Sequence, residues 1–163
     1  MVMTAPRMLL LSLGIATALV GWWTPADAKG FSALTDKLVS QFDGYQVEPG
    51  LNVNGKLTLG ENIADLGGLN VAYDAMLKAT EGKPDGKADG LSRDQRFFAG
   101  YALSWRGKDT PEAVRVQVAS DPHAPGRFRA NGPLENLPAF AAAFTCKAGD
   151  PMVRADDRKV VIW

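Results

Sequence analysis

Apolar residues recur three and four apart along most of this chain, the period of a helix with one buried face. Phe31, Leu34, Leu38, Val39 and Phe42 form the first such stripe. Before it stands Trp22-Trp23-Thr24-Pro25-Ala26-Asp27, with Thr24 suited to the N-cap, Pro25 to the first helical position and Asp27 to the first turn. These signals predict a helix over 25–43. Leu59, Ile63, Leu66, Tyr73 and Leu77 form a second stripe, behind Thr58 as N-cap and Glu61 at capping-box spacing, and predict a helix over 58–80. Ser92 and Gln95 open a third over 91–107, whose aromatic face of Phe97, Phe98, Tyr101, Ala102 and Trp105 reads as core. Thr110-Pro111-Glu112 opens a fourth over 111–120. A short fifth is expected over 135–144, with Phe140 and Phe144 inward.

Turn chemistry separates these stripes. Gly44 to Lys56 reads as a connector and Glu81 to Gly90 as an exposed loop. Asp121 to Arg129 is broken by Pro122, Pro125 and Gly126 and reads as a loop, with Asn131-Gly132-Pro133-Leu134 as a turn. The fold class that follows is mainly α, with little strand.

The helix over 58–80 has an unusual second face. At roughly 100° per residue, Glu61, Asp65, Gly68, Ala72, Ala75 and Ala79 fall within about 40° of one line. Two carboxylates four apart repel mildly, so a cation should oppose them: a metal, an Arg or a protonated His. Spacing alone favours a plainer reading, in which Glu61 only closes a capping box and Asp65 only favours the positive helix end.

The string Gly60-Glu61-Asn62-Ile63-Ala64-Asp65-Leu66-Gly67-Gly68 resembles the third-ligand motif of the neprilysin and endothelin-converting-enzyme family of zinc metallopeptidases. The resemblance implies that Glu61 binds zinc and that Asp65 orients a zinc-binding His. Asp121-Pro122-His123 with Pro125 and Arg129 resembles the family's D-x-H-x-P-x-x-x-R segment. It implies that His123 stabilises the oxyanion of the tetrahedral intermediate and that Arg129 binds a substrate backbone carbonyl. Arg127 is a rival for the second role if the loop is shifted, although the Phe128-Arg129 pair favours Arg129. Trp22-Trp23-Thr24, the Leu51-Asn52-Val53-Asn54-Gly55 run and the terminal Trp163 resemble the family too, so the likeness covers residues 22–163. Cys146 matches a cysteine that is disulfide-bonded in the family's animal members, but the partner position here is not Cys. The implied fold is the C-terminal helical portion of a thermolysin-like (gluzincin) catalytic domain.

The start of the chain reads in two ways. Arg7 and the apolar run Met8–Val20, then Ala26-Asp27-Ala28, look like a secretory signal or, with Trp22 and Trp23, a membrane anchor. Yet a cut after Ala28 would destroy the helix start at Thr24. The expected division is a hydrophobic segment 1–21, extending to 28 on the signal reading, and a peptidase-like domain 22–163. A helix at about 6–21 is expected. Membrane contact is expected only through residues 8–23, and the location is extracytoplasmic.

Composition narrows the chemistry. Lys plus Arg equals Asp plus Glu at 18 each, so no charge bias points to nucleic acid. Only one Cys is present, which rules out an intrachain disulfide. A neprilysin-type zinc site takes two His from H-E-x-x-H on one helix and a Glu from another, and the Glu between those His acts as general base. The sequence has one His and no H-E-x-x-H, so two His ligands are missing. The expectation is a C-terminal catalytic-domain fragment of a zinc metalloendopeptidase, inactive as an isolated chain and lacking an N-terminal portion. The alternative is a non-catalytic exported domain that binds peptides. Complementation by a separate H-E-x-x-H chain is a third reading.

Overall fold

The structure is a computed structural model that describes residues 23–162. Its elements in order are α1 (Pro25–Asp43), β1 (Gln46–Glu48), β2 (Leu51–Asn52), α2 (Leu59–Ala79), α3 (Arg93–Ser104), α4 (Pro111–Ser120), α5 (Gly126–Leu134) and α6 (Pro138–Ala143). The expectation of a mainly α chain holds: the strands form one short antiparallel hairpin inside the expected connector. The helix expected at about 6–21 lies outside the described residues.

The chain divides into two compact units, Met1–Ala33 and Leu34–Trp163. In the first, Thr24 and Asp27 cap each other. The Thr24 Oγ1 accepts from the Asp27 N–H at 3.1 Å, and the Asp27 carboxylate accepts from the Thr24 N–H at 3.0 Å. Two orphan donors at the helix start are thus satisfied by a sequence signal visible in advance. Trp23 meets Phe31 edge-on at 5.1 Å.

The second unit has one apolar core, formed by Leu38, Phe42, Leu66, Leu69, Phe98, Leu134, Leu137 and Val160 with their neighbours. Tyr73 stacks on Phe98, whose ring meets Phe140 edge-on. Ser92 and Gln95 form the expected capping box of α3, and Thr110 caps α4. Two expected inward positions differ. Phe144 and Leu77 are exposed, because α6 ends before Phe144 and the last turns of α2 run past the core.

The main correction concerns residues 121–134. The expected loop and turn contain a helix, α5, from Gly126 to Leu134. Its Gly126, Gly132 and Pro133 argue against a helix by propensity. Tertiary packing overrides this. A Cβ on Gly132 would stand 2.8 Å from Phe42 Cζ, and one on Gly126 would stand 2.9 Å from the Trp105 carbonyl oxygen. The glycines are what let α5 approach α1 and α3 this closely. Below it, Asn136 donates to Gln41 Oε1 and the Gly132 carbonyl, each at 2.9 Å, and accepts from the Val160 N–H. That buried amide ties α1, the end of α5 and the C-terminal tail together.

Candidate functional site

The rotation of α2 decides which residues it offers. Leu66 and Asn62 are fully buried, which turns Glu61 and Asp65 to the other side. The capping box expected at Thr58 does not form. The Thr58 hydroxyl instead donates to the Asn54 carbonyl and accepts from Asn62 Nδ2 at 2.9 Å. Glu61 is therefore not needed at the helix start, and its carboxylate is free for other partners.

Those partners come from the segment 121–129. Arg129, one turn into α5, donates from Nε to Asp65 Oδ2 and from Nη2 to Asp65 Oδ1, both at 2.7 Å. Nη2 also reaches Glu61 Oε2 at 3.2 Å. This fork-on-fork pair is largely enclosed, with side chains only 12% and 10% exposed. The Asp65 carboxylate holds the Arg129 guanidinium above its usual range, against the opposing effect of burial. Nη1 alone of the three guanidinium nitrogens makes no hydrogen bond among the described residues. The cation anticipated opposite the two carboxylates is thus Arg129, and the His123 ring lies beside it.

His123 Nε2 lies 3.2 Å from Glu61 Oε2, and Nδ1 lies 2.7 Å from Asp121 Oδ1. Both ring nitrogens face carboxylate oxygens, so both contacts are hydrogen bonds only when the ring carries both protons. The Asp121 carboxylate also accepts from the His123 N–H at 2.8 Å, and these bonds hold its pKa below the ordinary value. Asp121 escaped the sequence reading as a functional residue, although its place two before His123 allows just this turn. Arg127 points elsewhere and donates to the carbonyls of Gln46 and Val47.

Tyr101 and Trp105 were also missed, being read as core. The Trp105 ring lies 4.1 Å from Arg129 Cζ, and the Tyr101 hydroxyl donates to the Arg129 carbonyl at 2.9 Å. Nothing in an aromatic stripe distinguishes a ring that fills a core from one that faces a guanidinium.

Glu61, Asp65, His123 and Arg129 thus meet in one cluster. Among the described residues no three His, Cys, Asp or Glu side chains are placed to hold a metal ion. A zinc ion would therefore need donors besides those that the described residues bring together.

This helical framework is that of the C-terminal portion of a thermolysin-like metallopeptidase catalytic domain. The chain belongs to peptidase family M13, whose model matches residues 10–160. It is 42% identical over 134 residues to an endothelin-converting enzyme homolog of Locusta migratoria, covering 80% of this chain and 18% of that protein. It is 37% identical over 148 residues to neprilysin-1 of Caenorhabditis elegans, covering 87% and 19%. The crystal structure of the Mycobacterium tuberculosis zinc metalloprotease ZMP1 superposes with a TM-score of 0.83 at 39% identity, covering 87% of this chain and 22% of that one. The chain therefore spans about a fifth of the length of these relatives.

Proposed function

We propose that this chain supplies the C-terminal part of the catalytic domain of a zinc metalloendopeptidase. In this reading Glu61 is the metal ligand, and Asp65 orients a His ligand carried outside this sequence. His123 donates to the oxyanion that develops on the scissile carbonyl, and Arg129 binds a backbone carbonyl of the peptide. Zinc is the metal named for the M. tuberculosis relative, and it would supply Lewis-acid chemistry when bound. The supporting observation is the convergence of Glu61 and His123, far apart in sequence, at 3.2 Å beside the Arg129–Asp65 pair. Arg129 is a fixed donor with one nitrogen left over, and His123 is steered by Asp121. Both suit binding of a carbonyl oxygen before and during charge development.

The test joins residues 22–163 to the N-terminal part of a family member that carries H-E-x-x-H. Glu61→Gln keeps the size and removes the charge, and should cost most of the bound zinc. Metal content by atomic absorption measures it. Full occupancy in that variant would end the ligand assignment.

A second reading is an exported domain that binds peptides without cutting them, favoured by Arg129 Nη1, which makes no hydrogen bond among the described residues. Peptide binding by the unjoined chain, lost in Arg129→Ala, would support it. Under either reading the location is extracytoplasmic, with residues 1–21 as signal or anchor and 22–163 as the peptidase-like domain. One relative, 38% identical, is a mouse membrane metallo-endopeptidase-like protein. No helix among the described residues is long and apolar enough to cross a membrane. A fusion of residues 1–40 to a reporter active only outside the cytoplasm should score positive.

A further inference from the structure

Arg129 is the residue on which the cluster turns, and its own support is unusual. In a regular helix its carbonyl would accept from the N–H of the residue four further on. That residue is Pro133, inside α5, which has no N–H. The Arg129 carbonyl is therefore left without its helical donor, and an unpaired backbone acceptor in this setting is costly. The Tyr101 hydroxyl takes the vacant place at 2.9 Å. Burial pushes the Tyr101 phenol pKa up, so the hydroxyl keeps its proton and donates.

One turn later, at the C-cap of α3, stands Trp105, whose ring covers the Arg129 guanidinium at 4.1 Å. Such stacking favours a planar cation over an ammonium. Gly126 sets this contact, because any Cβ there would press on the Trp105 carbonyl oxygen at 2.9 Å. Arg129 follows three residues after Gly126, so the helix that abuts Trp105 also lays the guanidinium over its ring. The side chain is then fixed on one edge by Asp65, on one face by Trp105, and at its backbone by Tyr101.

We propose that Tyr101 and Trp105 are positioning residues for Arg129, and that Pro133 serves the site by freeing the Arg129 carbonyl for Tyr101. The inference rests on the reading of Arg129 as the group that binds a substrate carbonyl. Its consequence is that Arg129 offers one nitrogen, Nη1, in one direction. An amide carbonyl approaching that nitrogen meets a donor that does not have to be ordered on binding.

The full chain, labelled with nitrogen-15, tests this by side-chain NMR of its arginines, with Arg129→Lys used to assign the Arg129 signals. In the unaltered chain the Arg129 guanidinium protons should be shifted upfield by the indole ring and should exchange slowly. Trp105→Leu should abolish the upfield shift and speed rotation about Nε–Cζ by roughly tenfold or more, as loss of the cation–π contact frees one face. Trp105→Phe should retain part of the shift. Tyr101→Phe should lower the thermal midpoint by about 2–4 °C, the shift expected for loss of one partly buried hydrogen bond in a chain of this size. In a Pro133→Ala background the same change should cost less than half as much, because an N–H at position 133 restores the helical donor. Unchanged Arg129 signals in both aromatic variants, or an equal cost of Tyr101→Phe with and without Pro133, would overturn the proposal. Titration with an N-acetylated dipeptide amide separates this from the parent reading. A shift at Arg129 Nη1 that is lost in Trp105→Leu supports both. An ordered Arg129 with no response to the amide would remove the carbonyl-binding role while the aromatic support stands.

Discussion

At the scale of single residues, the four side chains of the cluster should fail in different ways. In the joined protein, Asp65→Asn should lower metal affinity about 10–100-fold, less than the loss in Glu61→Gln, because it acts through another residue. His123→Ala should leave zinc bound and lower kcat by roughly 10²–10³, the cost of one oxyanion donor, as steady-state kinetics with parallel metal analysis will show. Arg129→Ala should mainly raise KM. The structure adds a consequence that a substrate-binding role alone does not carry. Asp65 is only 10% exposed and loses its bidentate partner in that variant. Arg129→Ala should therefore also destabilise the unjoined chain, at the lower end of the about 3–5 kcal/mol typical of a broken buried pair. Urea unfolding of the chain measures this without any metal.

At the scale of elements, α5 carries the most information. It is a poor helix by composition and exists because α1 and α3 hold it. Gly132→Ala has good intrinsic propensity but puts a methyl group 2.8 Å from the fully buried Phe42 ring, which already packs edge-on against Tyr45. The ring has little room to yield, so this change should cost about 1–3 kcal/mol despite the gain in propensity. Chemical unfolding of the variant checks the sign, since a propensity-dominated helix would be stabilised instead. Its companion network is sensitive to pH. Glu135 accepts from the Tyr45 hydroxyl at 2.9 Å, and burial raises its pKa above the ordinary 4.5 despite that bond and Arg154 nearby. A raised carboxyl pKa means that the folded chain holds its proton more tightly than the unfolded chain. Stability from this group is then full below the ordinary value and declines as pH rises through the folded pKa. Glu135→Gln should therefore compare more favourably with the unaltered chain at pH 7 than at pH 4, by urea unfolding at both.

At the scale of the whole molecule, the helix that carries Glu61 shows a face without cover among the described residues. Gly68, Ala72, Ala75 and Ala79 are all exposed along α2. Small residues suit close approach of another helix, so this face fits the reading of the chain as part of a larger domain. The unjoined chain, supplied with zinc, should not hydrolyse peptides, since its sequence holds one His and no H-E-x-x-H. Zinc-dependent, chelator-sensitive cleavage by a preparation free of other proteases would contradict this.

What the sequence determined was local and periodic. The helices at 25–43 and 111–120 start and stop where their caps and prolines place them, because capping is satisfied by residues within one turn. The spacing of Glu61 and Asp65 allowed a cation opposite them, beside the plainer readings of a capping box and a helix-end charge. Which cation it would be, and from which element, was beyond that signal. Only the tertiary structure brought Arg129 across from α5, and it made α5 a helix against its own propensity by offering Gly126 and Gly132 surfaces that fit nothing larger. It also decided that Glu61 would face Arg129 and His123 and not cap its own helix, since the Thr58 hydroxyl is taken by Asn54 and Asn62. Tyr101 and Trp105 show the same limit: an aromatic stripe says that a face is buried, but what it is buried against depends on contacts made by residues far along the chain.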